Sequence, residues 1–458
     1  MRSRGTPCNT QTPRRPAQRR ERRERPKGKE VGWWSGGLLD SSPMTMAKNN
    51  SWHVLRHRDL RYAVLASFLA ATASTMQVSA IGFVLYKATG SKADLGLLGL
   101  AEFLPSFLLV LITGSFADRH SRRLIAVVAL SVEVVVAVGL VIGVHRGITT
   151  VAPFLIAALL YGSAKAFQAP ATRPLIAMLC PPEELQAAIP IGSLSWQSAS
   201  IVGPVLGGIL AGWRAEAAFA AVGVIYAGAV VALLLIPSER TRVKRLMEEQ
   251  PTLSHALEGL RLIRTQPVVF GAISLDLMAV LFGGAVALLP AVAQDMLHVG
   301  GFGYGLLRAS TGIGGVMMGL ILAANPLDGR VGRVLLVAVG VFGACTVVLG
   351  LSHNYALSFM MLLVLSAADM VSVYIRGTLV PLATPDELRG RVTAVEQVFI
   401  GASNELGAFE SGFAAAWLGL APAIVLGGVA TLAVVGVWWT FFPKLRDVDH
   451  FMDVVPVP

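Results

Sequence analysis

Long apolar segments, separated by short polar breaks, dominate this sequence. About 20 helical residues cover the hydrocarbon core of a bilayer, and segments of that length follow one another from Arg61 onward. Twelve can be delimited, at 62–86, 93–114, 122–144, 150–173, 187–212, 215–236, 267–293, 302–324, 332–351, 355–378, 391–417 and 421–442. We therefore predict an all-α membrane protein with twelve transmembrane helices.

The charge distribution agrees with a membrane protein and gives no sign of nucleic-acid binding. Charged residues make up 14% of the 458 residues, whereas soluble domains carry about a quarter. The net charge is +10, but residues 1–43 hold eleven Arg/Lys against four Asp/Glu. Because most of the positive charge lies in this short segment, we expect no nucleic-acid partner.

The polar breaks alternate in charge along the chain. The basic positions are the N-terminal side, Arg119–Arg123, the segment 237–266, Arg330 and Arg333, Arg389 and Arg391, and Lys444 and Arg446. Basic loops stay on the cytoplasmic side of a membrane. Twelve spans with both termini cytoplasmic satisfy this bias, so we expect a multi-pass membrane protein.

The spans and breaks divide the chain into five regions. Residues 1–57 are predicted to be a basic, disordered cytoplasmic segment. The ranges 58–237 and 267–443 each hold six spans. Between them, 238–266 is predicted to be a cytoplasmic linker with an amphipathic helix. The last region, 444–458, is predicted to be a cytoplasmic tail.

The two halves repeat. Arg173–Leu185 parallels Arg376–Leu388 at an offset of 203 residues, with Pro-Glu-Glu-Leu in the first copy and Pro-Asp-Glu-Leu in the second. Leu95-Gly-Leu-Leu98 is echoed by Tyr304-Gly-Leu-Leu307 at an offset of 209. The halves are therefore predicted to be pseudo-symmetric, and a substrate path is expected where they meet.

Short motifs along the chain resemble a known superfamily. Gly114-x3-Asp118-Arg119-x2-Arg122-Arg123 lies between predicted helices 2 and 3 and is similar to the signature loop of major facilitator superfamily transporters, although Ser121 stands where that superfamily usually has Gly. The motifs that resemble the branch of the bacterial enterobactin exporter and macrolide efflux proteins are Tyr86–Ser91, Ala169–Ala171, Pro182–Leu185, Pro385–Arg391 and Ser403–Gly407.

This resemblance implies a carrier whose two halves rock about a central cavity, in a branch that mostly exports small organic molecules, often with protons as the driving force. It also implies a latch in which Asp118 meets the start of helix 11 when the cytoplasmic side is closed. The latch residues would be Gly114, Asp118, Arg119, Arg122, Arg123, Arg389 and Arg391. The alternative is that Asp118 caps helix 3 or is neutralised by neighbouring arginines. Thr384 is predicted to be the N-cap of helix 11.

A small-residue motif on helix 5 has two interpretations. Its residues are Ala199, Gly203, Pro204, Gly207 and Gly208, and the motif resembles one found in proton-driven drug exporters. Small residues also let membrane helices pack closely without any role in export. Both interpretations remain open.

Ionisable and polar residues inside the spans are hypotheses for the transport path. Predicted spans 2, 3 and 11 contain the carboxylates Glu102, Glu133, Glu396 and Glu405. Asp276 and Glu410 are the preferred acids for a cavity. The full set of candidate path residues is Asp276, Glu410, Asp369, Lys165, Gln77 and Asn404. For each, ion pairing or hydrogen bonding between helices is the alternative.

No enzymatic chemistry is indicated. The three cysteines show no ligand spacing, no phosphate-binding Gly-rich loop is present, and no metal site, catalytic residue or cofactor is predicted. We predict a monomeric secondary active transporter of a bacterial inner (plasma) membrane that couples export of a small organic molecule, siderophore- or drug-like, to protons. A flippase for lysophospholipid or other lipids is one alternative, and a non-transporting membrane sensor on a carrier fold is another.

Overall fold

The computed structural model describes residues 51–148, 150–172, 174–181, 184–237, 260–385 and 388–454. The side chains of residues 51, 52, 110–112, 114, 115, 117, 118, 186, 187 and 189 are not described. The basic segment 1–50, most of the predicted linker helix and the Asp118 carboxylate therefore lie outside the described residues.

The described residues contain twelve long helices and no strand. The first six are α1 (Arg58–Thr89), α2 (Lys92–Arg119), α3 (Arg122–His145), α4 (Val151–Thr172), α5 (Leu185–Trp213) and α6 (Ala215–Leu234). The second six are α7 (Pro267–Phe282), α8 (Gly301–Ala324), α9 (Val331–Leu351), α10 (Tyr355–Leu382), α11 (Arg389–Leu418) and α12 (Leu420–Phe441). The prediction of an all-helical membrane protein is confirmed.

Within the described residues, ten helical segments are long and apolar enough to cross a membrane. The remaining two long helices, α2 and α11, correspond to the second and eleventh predicted spans. Both contain acidic residues in their interior: Glu102 in α2, and Glu396, Glu405 and Glu410 in α11. Carboxylates inside a span are costly, so these two helices need polar partners within the bundle.

The two halves use the same pattern of helix packing. In the first half, α1 packs against α5 and α6, α2 against α4, and α3 against α4 and α6. In the second half, α7 packs against α11 and α12, α8 against α10, and α9 against α10 and α12. Adding six to each helix number converts one list into the other, which is the packing expected of a duplicated six-helix unit.

The halves join along two helix pairs, α2 with α11 and α5 with α8. The symmetry between the halves exchanges these two pairs. We call the end of the bundle at residues 89–92, between α1 and α2, the 90 face. The opposite end, at residues 119–122 between α2 and α3, is the 120 face.

Glycines bring both pairs into backbone contact near the 90 face. A Cβ atom added to Gly301 would lie 2.1 Å from the carbonyl oxygen of Gly208, and one added to Gly412 would lie 2.6 Å from Cα of Gly96. No side chain fits in such gaps. The hydrophobic effect does not drive helices together within lipid. Close packing of small residues therefore holds the two helices of each pair together.

The small-residue motif of α5 divides between two partners. Gly203 and Gly207 lie against the α1 backbone, where added Cβ atoms would come within 2.8 Å of the carbonyl oxygens of Thr72 and Met76 respectively. Gly208 instead lies against α8 of the other half. The motif therefore packs α5 inside its own half and across the interface between the halves.

Buried apolar residues also join the halves at the 90 face. One cluster combines residues of α1–α4, such as Phe83 and Phe154, with second-half residues such as Leu289 and Ile424. The other apolar clusters of the described residues each lie within one half. The structure is therefore a state in which the halves are closed together at the 90 face.

Three local expectations are wrong. Residues 51–56, expected to be disordered, form a 3-10 helix whose Val54 is buried against Leu60, and His57 hydrogen-bonds Glu184 at 3.1 Å. The Thr384 hydroxyl donates backward to the Val380 carbonyl at 2.7 Å, so it does not cap α11, whose N-cap is Leu388.

The third correction concerns predicted span 267–293, which is not one continuous helix. A 3-10 segment (Gly284–Leu288), a short helix containing Pro290 and a π segment (Val292–Met296) follow α7. At Gly284 an added Cβ would lie 2.4 Å from the Gly407 carbonyl oxygen of α11. This close crossing and Pro290 together account for the break.

The glycine contact between α5 and α8 leads to a first prediction. Gly301→Ala should force the halves apart at the 90 face, because the new methyl group meets backbone that has no rotamer to change. Overpacking costs about 1–3 kcal/mol, which shifts the equilibrium between the closed and open forms at least about fivefold toward the open form. The readout is the labelling rate of Ala293→Cys, a fully buried position, by a membrane-impermeant maleimide in a cysteine-free background.

Gly300→Ala is the matched control, since nothing lies within 4 Å of a Cβ added there. Equal labelling rates in the two variants would contradict a steric role for the contact.

Candidate functional site

An ion pair lies in the middle of the first half. Lys165 of α4 and Glu102 of α2 approach to 2.7 Å between Nζ and Oε1, and their side chains are 47% and 13% exposed. Each lies far from the ends of its helix. Charged side chains at such depth face the bundle interior or a water-filled cavity, which identifies this as the central, polar side of the half.

The second half adds two more charges to this pair. Glu405 of α11 packs against α2, since a Cβ added to Gly99 would lie 3.5 Å from its Oε2 atom. Glu405 interacts electrostatically with Glu102, Lys165 and Arg308. Arg308 of α8 also donates to the Val286 carbonyl at 3.3 Å. We call Glu102, Lys165, Arg308 and Glu405 the central cluster; it takes two charges from each half.

An aromatic and hydroxyl wall borders the cluster. The Lys165 ammonium lies 5.4 Å from the centroid of the Tyr161 ring, a cation–π contact. The Tyr161 hydroxyl is hydrogen-bonded to Ser74 of α1. Tyr161 is itself buried, so α1 and α4 hold the position from which Lys165 reaches the centre.

A further polar pair lies deeper in the first half. The Gln77 amide of α1 donates to Oε2 of Glu133 of α3 at 3.2 Å, and both residues are almost wholly buried. Glu133 stands near the midpoint of α3. It makes no ion pair within the described residues, in contrast to Glu102.

A second charged group, the C-half cluster, consists of Asp276, Asp369, Arg376 and Glu396. The Arg376 guanidinium contacts Asp276 at 2.8 Å and Glu396 at 3.7 Å, and all three side chains are at least 90% buried. Asp369 lies near enough to interact electrostatically with Asp276 and Arg376. Three carboxyl groups of α7, α10 and α11 thus share one guanidinium.

A small cavity adjoins this cluster, with room for about one water molecule. Asp276, Asp369 and Ser372 supply its polar lining, and apolar residues of α7, α9 and α10 supply the rest. The Ser372 hydroxyl also accepts from Nε of Arg376 at 3.4 Å. The acids therefore border a small polar space as well as the guanidinium.

The other predicted path residues lie apart from both clusters. Asn404 is exposed and donates to the Ile400 carbonyl of its own helix at 2.8 Å. Glu410 is also exposed and accepts from the Ser411 hydroxyl at 3.3 Å. Of the six predicted path residues, Lys165 lies in the central cluster, Asp276 and Asp369 lie in the C-half cluster, and Gln77 contacts Glu133.

The predicted latch residues occupy the 120 face. Arg123 donates to the carbonyls of Leu233 and Leu234 at 2.9 and 2.8 Å, at the end of α6. Arg389 donates to the Pro381 carbonyl at 3.0 Å. The side chain of Asp118 and residue Gly114 lie outside the described side chains. The structure is closed at the 90 face, whereas the latch is predicted for the state closed at the 120 face. The latch therefore stays a prediction.

Part of the central cluster lies outside the predicted path. Glu102 and Glu405 are predicted only as intramembrane acids, and Arg308 is not among the predicted residues. Arg308 lies well inside predicted span 302–324, and an arginine there is itself a signal of function. Which acids meet it depends on the crossing of α2 with α11, which no local pattern encodes.

The fold and these clusters agree with one protein family. The family described as transmembrane secretion effectors, of the major facilitator superfamily, matches residues 49–455. The chain belongs to this family. It is a transporter rather than an enzyme, and no curated protein matches its sequence.

Solved structures of transporters share the fold of this chain. The nucleoside transporter NupG (D323A mutant) superposes with a TM-score of 0.66 at 12% identity, covering 84% of this chain and 100% of that one. A POT family transporter in complex with a thioalcohol-conjugated peptide gives 0.65 at 12% identity, covering 85% and 96%. The D-xylose–proton symporter gives 0.63 at 15% identity, covering 85% and 98%. Such low identities show the fold alone.

The Glu102–Lys165 pair leads to a second prediction. Glu102→Gln and Lys165→Met should each lower the free energy of unfolding by about 1–2 kcal/mol, less than for a fully buried pair because Lys165 is half exposed. Exchanging the two charges, Glu102→Lys with Lys165→Glu, should recover part of the loss. Thermal denaturation in detergent measures this, with exposed Asp447→Asn as control. Strictly additive losses in the exchanged variant would contradict the pairing.

A third prediction concerns Arg376. Arg376→Leu leaves the Asp276 and Glu396 carboxylates buried without their partner, which should cost about 3–5 kcal/mol. Lowering the pH should restore part of the stability, because protonation removes the unpaired charges. Denaturation midpoints of wild type and variant across acidic to neutral pH test this. Arg446→Gln, which breaks the surface ion pair of partly exposed Arg446 with Asp447, is the control. A deficit that is independent of pH would contradict it.

Proposed function

We propose that this secretion effector uses protons to export small amphiphilic organic molecules, siderophore- or drug-like, across a bacterial inner membrane. The observation that carries the proposal is the central cluster, in which Glu102 and Lys165 of one half meet Arg308 and Glu405 of the other. A carrier of this family alternates by moving its halves, and these charges stand where that movement separates them. An ion that binds one member changes the attraction between the halves.

The free energies involved are of the right size for such control. Moving a two-state equilibrium from 1:99 to 99:1 takes about 5.5 kcal/mol. Charge pairs in a partly desolvated site supply a few kcal/mol each when one partner is removed. Protonating Glu405 or binding a charged substrate group at Lys165 would therefore redistribute the two states. Substrate and proton would act on the same interface.

Proton coupling is supported by the acids within the spans. The C-half cluster has three carboxyl groups for one guanidinium, so it holds more acid than it can neutralise. No His, Cys, Asp or Glu group suited to a metal occurs among the described residues. Asp276 and Asp369 are the proposed proton acceptors there, together with Glu405 in the central cluster. The D-xylose–proton symporter couples transport to protons on the same fold.

The proposed direction follows from the loop charges. Arg119, Arg122 and Arg123 lie at the 120 face, which we therefore assign to the cytoplasm. With the 90 face closed, substrate would enter from the cytoplasmic side, as loading of an exporter requires. The Asp118 latch would close this side in the other state.

The chemistry of the central cluster supports this substrate class. Glu102 and Glu405 supply negative charge, Lys165 and Arg308 supply positive charge, and the buried Tyr161 ring lies behind the Lys165 ammonium. A molecule with an apolar body and one ionisable group would complement this lining better than a sugar would. That fits the small organic cargo of the enterobactin exporter and macrolide efflux branch, which the motifs resemble.

The fourth prediction tests this function in proteoliposomes. Ethidium serves as a cationic probe, fluorescein as an anionic probe, and a fluorescent lysophosphatidylethanolamine as a lipid probe. We expect a pH gradient to increase movement of ethidium or fluorescein at least severalfold, and nigericin, which collapses the gradient, to abolish the increase. Glu405→Gln should lose this coupling, and exposed Asp447→Asn should keep it.

Other outcomes point to the alternatives. Movement of the lipid probe alone would favour a flippase. Movement of none of the probes would favour a sensor. Movement that is insensitive to nigericin would remove proton coupling from the proposal.

A further inference from the structure

The Gln77–Glu133 pair has a bonding deficit that one proton would remove. Oε1 of Glu133 and Oε1 of Gln77 are both buried and have no hydrogen-bond partner within the described residues. Both atoms are acceptors as long as Glu133 is ionised. The remaining amide hydrogen bond, from Gln77 Nε2 to Glu133 Oε2 at 3.2 Å, cannot satisfy either of them.

A carboxylate in this place would also lack a compensating charge. Glu133 is 1% exposed and Gln77 is fully buried. Isolated ionised groups in such surroundings are very costly, and unpaired buried acceptors add to the cost. Glu102, by contrast, has Lys165 within 2.7 Å. The structure around Glu133 fits a neutral carboxylic acid.

We propose that Glu133 is a proton-binding site of the first half, separate from the acids of the central and C-half clusters. In its protonated form the acid donates its O–H to Oε1 of Gln77 while accepting from Nε2 of the same side chain. This acid–amide pair makes two hydrogen bonds and leaves neither residue with an unpaired atom. The proton comes from water on the open face and returns to water in the other state.

Titratable residues lie near Glu133 on several neighbouring helices. Tyr161 and Lys165 approach from α4, Glu102 from α2 and Tyr226 from α6, all within electrostatic range. Tyr161 is hydrogen-bonded to Ser74, which stands three residues before Gln77 on α1. A change of charge at the central cluster therefore reaches Glu133 through Lys165 and Glu102.

This arrangement gives Glu133 a role that rests on the proposed proton coupling. While Lys165 is paired with Glu102, its charge is largely neutralised and Glu133 keeps its proton. When a cationic group of the substrate draws Glu102 away, the freed ammonium of Lys165 favours ionisation of Glu133. Loss of the proton breaks the bond to Gln77 Oε1, so α1 and α3 respond to events at the interface.

The fifth prediction is tested first by infrared difference spectroscopy of the full-length protein in lipid at neutral pH. Subtracting the Glu133→Gln spectrum from the wild-type spectrum should show the carbonyl band of a protonated carboxylic acid. Gln77→Leu should shift that band to higher frequency, since the acid loses its partner. Exposed Asp447→Asn should alter only carboxylate bands. A carboxylate band in place of the acid band in the Glu133→Gln difference would overturn the proposal.

Transport supplies the second measurement and separates this proposal from the function it extends. Glu133→Gln should reduce accumulation of ethidium driven by a pH gradient at least tenfold, whereas exposed Asp447→Asn should leave that accumulation near the wild-type level. Full coupling in Glu133→Gln would overturn the proposed role. If wild type itself shows no dependence on the gradient, the proposed function fails, and the infrared band alone decides whether Glu133 binds a proton. Should Glu133→Gln not fold, the band shift of Gln77→Leu provides the same test.

Discussion

The contact on which the rest of this structure depends is the backbone packing of α5 on α8 and of α2 on α11. Gly301 against Gly208, and Gly412 against Gly96, leave no space for a side chain. Without an apolar driving force in lipid, such contacts hold the halves by dispersion over many atoms. Dispersion contacts weaken steeply with distance, so the 90 face is either closed or open and intermediate states are poorly populated. A carrier that alternates between two states needs that property.

The same helix pairs carry the charges that can oppose this packing. Going inward from the closed face, α11 passes from Gly412 to Glu405, and α8 passes from Gly301 to Arg308. Each pair thus begins with tight glycine contacts and continues into the central cluster. Closure of the 90 face and the charge state of the cluster are therefore mechanically linked. Protonation or substrate binding at the centre acts on helices whose outer ends form the seal.

Periodicity and repeats in the sequence predict twelve helices in two halves, because membrane spans and duplications leave local signals. Local signals also suggested Thr384 as a cap and one continuous helix over 267–293. Both were wrong, since a backward hydrogen bond to Val380 and the crossing of α11 over Gly284 are tertiary effects. Lys165 is a predicted path residue, but its acidic partners are not predicted, because they lie on α2 and α11. Which charges meet is decided by helix rotation, and hydropathy does not record it.

The two kinds of acid suit different tasks in one cycle. Glu405 lies between the halves, so its charge directly changes the force between them, yet its partners separate whenever the carrier moves. Glu133 lies inside one half, bounded by α1, α4 and α6, where its surroundings persist through a rigid-body movement. A proton held there can travel with its half from one side to the other, whereas a proton on Glu405 acts on the movement itself. A coupled exporter needs both actions, and this fold supplies them on separate residues joined through Lys165 and Glu102.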